Sequence, residues 1–411
     1  MGSVPLVTTL HRAAFGAFVV GLGTSITLSQ SALALLSLLW LWRLRDPAAR
    51  AAARWPLWQP VLAFSAVSLV SALASGHAVT ALGASKGLLL VAALYVTADA
   101  LTGPADGHRF LSALLVVVTV AAVVGLLQTI ACPGSAADYG PPAWLYHRCS
   151  RARGFFSIYM TLAGVLSLVL LATVPRLLPG AALPRWPALP WLVSLAGLLA
   201  TYTRGAWMGF AAGVLALLPM SRKGRWILLG GLIVLALAAL AGSQQLRQRF
   251  LTMGDPRDPT VTERVYMWRS GLAMWRRHPL LGVGPGEVKR DYEIYALPEA
   301  IKKRTSHVHS TPLQILVERG ALGLAAWLWI WVAFFTKSIN LLRRLPADSA
   351  RERALVVGSL AAVVGFLVAG LSEYNFGDSE VVMVAWALMA LPWVVDAKEP
   401  TKASPLAAQR S

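Results

Sequence analysis

Long apolar runs separated by short polar ones set the pattern of this chain. Residues 113–131, "ALLVVVTVAAVVGLLQTIA", show the type. Crossing about 30 Å of hydrocarbon takes roughly 20 apolar residues in a helix. A membrane β-barrel would instead alternate apolar and polar residues over roughly ten positions, and these runs do not alternate. The pattern predicts twelve apolar helices, at 13–28, 30–42, 57–75, 80–98, 110–131, 154–174, 189–202, 205–220, 226–242, 311–336, 354–372 and 379–395. The first two read as a tight hairpin or as one long tilted helix. The expectation is an all-α polytopic membrane protein. Residues 1–242 carry helices one to nine, 243–310 form a large polar segment, 311–395 carry the last three helices, and 396–411 form a tail.

Composition agrees: 56% of the 411 residues are hydrophobic and only 14% charged. No cleavable leader is evident, because the first apolar stretch runs straight into more apolar sequence. The net charge of +18 raises nucleic acid as a partner, but lysine and arginine in cytoplasmic loops account for it. The connections "RLRDPAARAAAR" (43–54), "SRKGR" (221–225) and "KSINLLRRLPADSARER" (337–353) are basic and share one face with both termini if the helices alternate. The positive-inside rule makes that face cytoplasmic. The opposite face then holds 132–153, with Cys132 and Cys149, and the segment 243–310. Two cysteines on one exported loop suggest a disulfide in an oxidising compartment, with two unpaired thiols as the alternative.

The segment 243–310 breaks the charge rule, carrying twelve Lys or Arg residues against seven acids. Long loops cross regardless of charge, and such a surface suits anionic lipid head groups. Within it, "TVTERVYMWRSGLAMWRRHP" (260–279) predicts a helix. Thr260 and Glu263 form an expected capping box, and Val265, Trp268, Leu272 and Trp275 form an apolar stripe lying along the membrane surface. "GVGPG" (282–286) lacks the Gly-Lys-Ser/Thr of a phosphate loop and reads as a turn.

The candidate chemistry begins at "RTSHVHSTPLQILVERGALG" (304–323). His307 and His309 stand at the mouth of an apolar helix, as solvated loop residues, as two ligands of a metal, or as a general base. Two imidazoles fall short of the three or four ligands that zinc takes. A histidine titrating near neutrality can take a proton from an attacking hydroxyl. Arginines sit at the same membrane edge: Arg204 between two apolar helices, Arg264 and Arg269 on the predicted surface helix, and Arg151 and Arg153 before the sixth helix. Lys86 lies near the exported end of the fourth. Snorkelling anchors are one reading. The other is a diphosphate site, since guanidinium forks bind phosphate and stabilise it as a leaving group.

These residues resemble the O-antigen ligase superfamily. "RTSHVHSTPLQILVERGALG" is similar to its signature through His309, Ser310, Leu313, Glu318, Gly320 and Gly323. "RVYMW…HPLLGVGPG" matches a second motif through Arg264, Trp268, His278, Pro279, Gly282, Gly284 and Gly286. "TYTRGAWMG" resembles a third, with threonines in place of serines, and "RARGFF" (151–156) is a looser match. The likeness is strongest over about 190–335.

The resemblance implies a GT-C-like membrane enzyme of the bacterial inner membrane with its site on the periplasmic side. It would transfer glycan from undecaprenyl diphosphate to lipid A–core, inverting the anomeric centre without metal or other cofactor. On that reading His309 is the base. Arg204 and Arg264 bind the diphosphate with Arg153 and Lys86 behind them, and His307, Glu318 and Arg269 are secondary. The alternatives are an O-antigen polymerase, a protein O-glycosyltransferase, or a transporter. No internal repeat of the kind many transporters carry is seen.

Overall fold

The computed structural model describes residues 3–130, 151–180, 184, 187–220, 224–253, 255 and 257–396. Cys132 and Cys149 lie outside the described residues. Each of the twelve apolar segments contains helix, the sixth starting at Tyr159 and not at 154, and no strand occurs among the described residues. Six helices are long and apolar enough to cross a membrane, and five shorter apolar ones accompany them. This is an all-α, multi-pass membrane protein.

Helices α1 (Ser3–Thr24) and α2 (Ile26–Arg43) form a hairpin rather than one tilted rod. Ser25 caps α2, its Oγ accepting from Leu28 N at 3.3 Å. After α3 (Trp58–Ala74), the fourth expected span is broken. Ala78–Ala84 (α4) passes into a 3-10 stretch, Ser85–Val91, before α5 (Ala92–Ala100) resumes the α-helix. Gly83, Ser85 and Gly87 weaken the ladder there, as small residues do at helix breaks. Four further apolar helices follow: α6 (Pro104–Ile130), α7 (Tyr159–Leu177), α8 (Ala188–Ala200) and α9 (Arg204–Leu217). Then come α10 (Arg225–Ala241) and the polar α11 (Gln244–Leu251), α12 (Pro259–Arg277) and α13 (Val288–Tyr295). The chain closes with α14 (Thr311–Arg344), α15 (Ala350–Gly370), α16 (Ser379–Met389) and α17 (Leu391–Val395).

The core centres on α7, which packs against α6, α8, α9, α15 and α16 and whose Leu162, Leu166 and Leu170 are fully enclosed. Small residues set the spacing, as they do where packing rather than water drives association. An added Cβ at Gly209 would stand 2.4 Å from the Gly365 carbonyl oxygen.

The predicted capping box is not what starts α12. Asp258 caps it, Oδ1 accepting from Thr260 N at 2.9 Å, with Pro259 at the first helical position. Glu263 instead turns to a neighbouring loop and accepts from Ile301 N and Lys302 N at 3.0 and 2.8 Å. Proline needs no donor partner at a helix start, so Asp-Pro outcompetes Thr260. The protein-facing side of α12 lies beside the stripe expected to meet the membrane. Met267, Ser270, Gly271 and Met274 are buried, while Leu272 is 37% exposed. Gly271 lets α12 approach Val308 and Val317, whose nearest atoms lie 3.2 and 3.3 Å from where a Cβ on that glycine would stand.

Two sequence motifs prove to be halves of one joint. Gly320 breaks α14 with φ 65° and ψ −170°, and the turn 282–286 fills the gap. Val283 N donates to Val317 O at 3.0 Å, Gly284 N to Glu318 O at 2.9 Å and Ala321 N to Pro279 O at 2.8 Å. Gly286 N donates to Glu318 Oε1 at 2.9 Å. With Gly282 N donating to His278 O at 2.9 Å, the turn's amides are spent within the protein, which leaves none for a phosphate. A Cβ at Gly320 would stand 2.1 Å from Leu280 O, in a backbone region open essentially to glycine alone. Gly320→Ala is therefore expected to cost about 1–3 kcal/mol or more, read as a lowered melting temperature of the solubilised protein.

Candidate active site

His307 and His309 flank Val308 in the irregular segment that leads into α14. Val308 is fully buried, and its N–H donates to Gln314 Oε1 at 2.8 Å. The two imidazoles lie together, with ring centroids 4.3 Å apart. His309 holds φ +50°, a left-handed conformation uncommon outside glycine and concentrated at functional sites.

The partner of His309 is Glu373. Its Oε2 lies 3.5 Å from His309 Nδ1, and its Oε1 accepts from Arg264 Nη2 at 2.6 Å. One carboxylate thus joins the candidate base to a candidate phosphate ligand. The His309 contact is longer than a hydrogen bond and suits an ion pair once the ring is protonated. Glu373 is held firmly. Thr311 N donates to its carbonyl at 3.1 Å, and Asn375 Nδ2 donates to Phe366 O at 2.7 Å. Phe376 is wedged among Trp327, Trp331 and Trp386, with centroids 6.0 to 6.3 Å away. Sequence reasoning missed Glu373. Its one signal is an acid between two apolar helices on the face that carries the histidines.

Arg204 opens α9 at the same corner. It donates through Nη2 to Asp258 Oδ2 at 2.7 Å and to Thr252 Oγ1, and through Nε to Arg249 O at 3.0 Å. The Arg204 guanidinium, hydrogen-bonded to Asp258, holds that carboxyl well below the usual range. Asp258 caps α12, which carries Arg264, so this pair fixes one arginine's helix to the other. The next residue, Gly205, faces Glu373: a Cβ there would stand 3.1 Å from Glu373 Cγ. Arg204, Arg264 and His309 are thus gathered through Asp258 and Glu373.

The other candidates sit elsewhere. Arg153 Nη1 donates to Ser157 O at 3.1 Å at the start of α7. Lys86 is exposed on the 3-10 stretch, and Arg269 is exposed on α12. Glu318 is 3% exposed and spent on structure. It takes Gln314 Nε2 at 2.8 Å and Arg319 Nη1 at 2.6 Å besides the turn. Among the described residues, no three His, Cys, Asp or Glu side chains converge as metal ligands.

A cavity of about 370 Å³ opens at this corner, lined by Thr161, Thr203, Ser306, His307, Glu373 and Asp378 among others. His309 lies beside His307, the two rings tilted by 57°, with 17% of its side chain exposed. Burial, with the neighbouring His309 second, pushes the His307 pKa down to about 4. The ring is neutral near pH 7. Its folded pKa lies below the usual 6.5, so protonation favours the unfolded chain. Stability is full above about pH 6.5 and falls as pH drops towards about 4. His307→Gln is expected to flatten the melting temperature over that window.

Comparison with known proteins now bears on these residues. Residues 189–328 match the family described as O-Antigen ligase. That span holds Arg204, Arg264, His309 and the turn–kink joint, but not Glu373. The chain is also 29% identical over 214 residues to the exopolysaccharide production protein ExoQ of Rhizobium meliloti (strain 1021), covering 44% of this chain and 46% of that one. The match therefore spans less than half the length of that curated relative. Residues 189–328 are thus similar to the O-Antigen ligase family, and the chain that carries them is a multi-pass membrane protein.

Proposed function

We propose that this protein transfers glycan from undecaprenyl diphosphate to a sugar hydroxyl of lipid A–core, on the periplasmic side of the bacterial inner membrane. The observation that carries this reading is the Arg264–Glu373–His309 chain, 2.6 and 3.5 Å long. It couples a group that binds phosphate to a group that takes a proton, at the edge of a lipid-facing helix bundle.

The diphosphate lies against Arg204 and Arg264, which leave Asp258 and Glu373 in part to meet it. Charge that develops on the leaving diphosphate is matched by fixed guanidinium groups. His309 takes the proton of the attacking hydroxyl. Glu373 then faces an imidazolium and stabilises it, as a carboxylate does behind a catalytic histidine. The hydroxyl oxygen bonds to the anomeric carbon as the bond to the diphosphate oxygen breaks on the opposite face, so the configuration inverts. No step calls on a cofactor. The lipid carrier has a place beside the arginines. Helix α9 turns Thr203 and Ala206 to the polar cavity and Trp207 and Met208 to an apolar cavity of about 250 Å³.

Both termini are assigned to the cytoplasm, with 243–310 as a periplasmic segment between the apolar helices α10 and α14 and 396–411 as a tail. The test is reconstitution of the full chain with undecaprenyl-diphosphate-linked glycan and lipid A–core. Glycosylated lipid A–core supports a ligase. Lengthening of the lipid-linked glycan with bare lipid A–core makes the protein a polymerase, and transfer to a protein makes it an O-glycosyltransferase.

A further inference from the structure

A second cavity, of about 120 Å³, lies on the far side of the segment 374–377 from the one that holds His307 and Glu373. Tyr374 and Gly377 line both. Besides that segment, α3, the end of α4, the 3-10 stretch 85–91, α14 and α16 enclose it. It is set among apolar residues, yet Ser65, Ser85, Ser379 and Arg319 face it.

Two features mark it as a built site. The first is the helix break. Irregular backbone at membrane depth persists where it is buried in protein or lines a cavity, and broken spans recur at substrate sites. Here Ser85 and Gly87, both in the 3-10 stretch, line this cavity. The second is its charge balance. Arg319 is 7% exposed and already neutralised by Glu318 at 2.6 Å, with Ser68 Oγ accepting from its Nε at 3.0 Å. The lining is therefore polar but without net charge. It suits the hydroxyls of a sugar and not a phosphate.

We propose that this cavity is the acceptor subsite, holding a sugar of the lipid-anchored glycan that receives the transferred chain. The donor stays on the arginine side, and Tyr374–Gly377 forms the wall between them. This rests on the proposed transfer between two lipid-anchored substrates. Such a reaction brings two amphiphiles to one point from the bilayer, and two cavities sharing one thin wall provide separate approaches. The Tyr374 ring lies 5.7 Å from that of His307, so an acceptor hydroxyl passing this wall arrives beside the histidine pair. Gly377 permits the thin wall, because a Cβ there would stand 2.2 Å from the Tyr374 ring.

The test fills the cavity without touching Arg204, Arg264 or the histidines. Ser65→Trp, with the smaller Ser65→Leu should the first not fold, is assayed in the full-length protein. One readout is the transfer rate against lipid A–core concentration. The other is direct binding of undecaprenyl diphosphate. The expected result is an apparent KM for lipid A–core raised about tenfold or more, with undecaprenyl diphosphate bound as by the wild type. Loss of undecaprenyl diphosphate binding with an unchanged acceptor KM would place the donor here and overturn the assignment. So would a variant that matches the wild type in both readouts. If the wild type binds undecaprenyl diphosphate but only lengthens lipid-linked glycan, the lipid A–core reading fails. The subsite itself then stands or falls on whether Ser65→Trp raises the KM for the lipid-linked acceptor.

Discussion

His309→Ala is expected to lower the rate of glycan transfer by about 10²- to 10⁴-fold, the usual contribution of a positioned general base. The loss should fall on kcat, since the ring meets the hydroxyl and not the diphosphate. Undecaprenyl diphosphate binding should persist, because Arg204 and Arg264 remain in place. A small amine or imidazole in the buffer should restore part of the rate if the lost function is proton acceptance. A variant that keeps its rate would remove His309 from the chemistry and leave its left-handed backbone as a feature of the helix start alone.

Glu373→Gln comes next, with an expected loss on the order of 10² to 10⁴ in kcat, as for a carboxylate behind a catalytic histidine. The substitution keeps the shape and removes the charge shared by Arg264 and His309. Two effects follow from the 2.6 and 3.5 Å contacts. Arg264 loses its ionic partner and becomes less well placed for the diphosphate. The imidazolium of His309 loses a neighbouring anion, so the acid limb of the pH–rate profile should move to lower pH. A purely structural role would leave that limb unmoved. Glu373→Asp, which keeps the charge on a shorter arm, should recover part of the rate.

Much of this architecture can be read in the sequence, because an apolar run of the right length leaves few alternatives in a bilayer. The hairpin 13–42 and the helix within 260–279 follow from runs and periodicity, and the motifs single out Arg204, Arg264 and His309, which the fold draws together through Asp258 and Glu373. The breaks do not. Residues 80–98 and 311–336 are continuous in hydropathy, and hydropathy does not report φ. The 3-10 stretch and the Gly320 kink depend on tertiary partners. For Gly320 the partner is the turn 282–286, which repays the lost ladder bonds. The start of α12 depended on Asp258-Pro259, two residues before the capping box the spacing suggested. Glu373 carries no pattern of its own. Its importance comes from the Phe376 wedge and the Thr311 bond that aim it, which are facts of three dimensions. Glu318, by contrast, sits in a recognisable motif and serves the fold.

The central claim is that one site couples release of the lipid diphosphate to proton removal by His309. The most direct measurement is a single-turnover reaction with excess enzyme, lipid-linked glycan and lipid A–core in the presence of chelator. Free undecaprenyl diphosphate and glycosylated lipid A–core would be followed together in the wild type and in His309→Ala. The account predicts that the two products appear in step in the wild type, with one inverted glycosidic bond per diphosphate released, and that both nearly vanish in the variant. Undiminished transfer by His309→Ala, or transfer that stops in chelator and returns with a divalent cation, would contradict it.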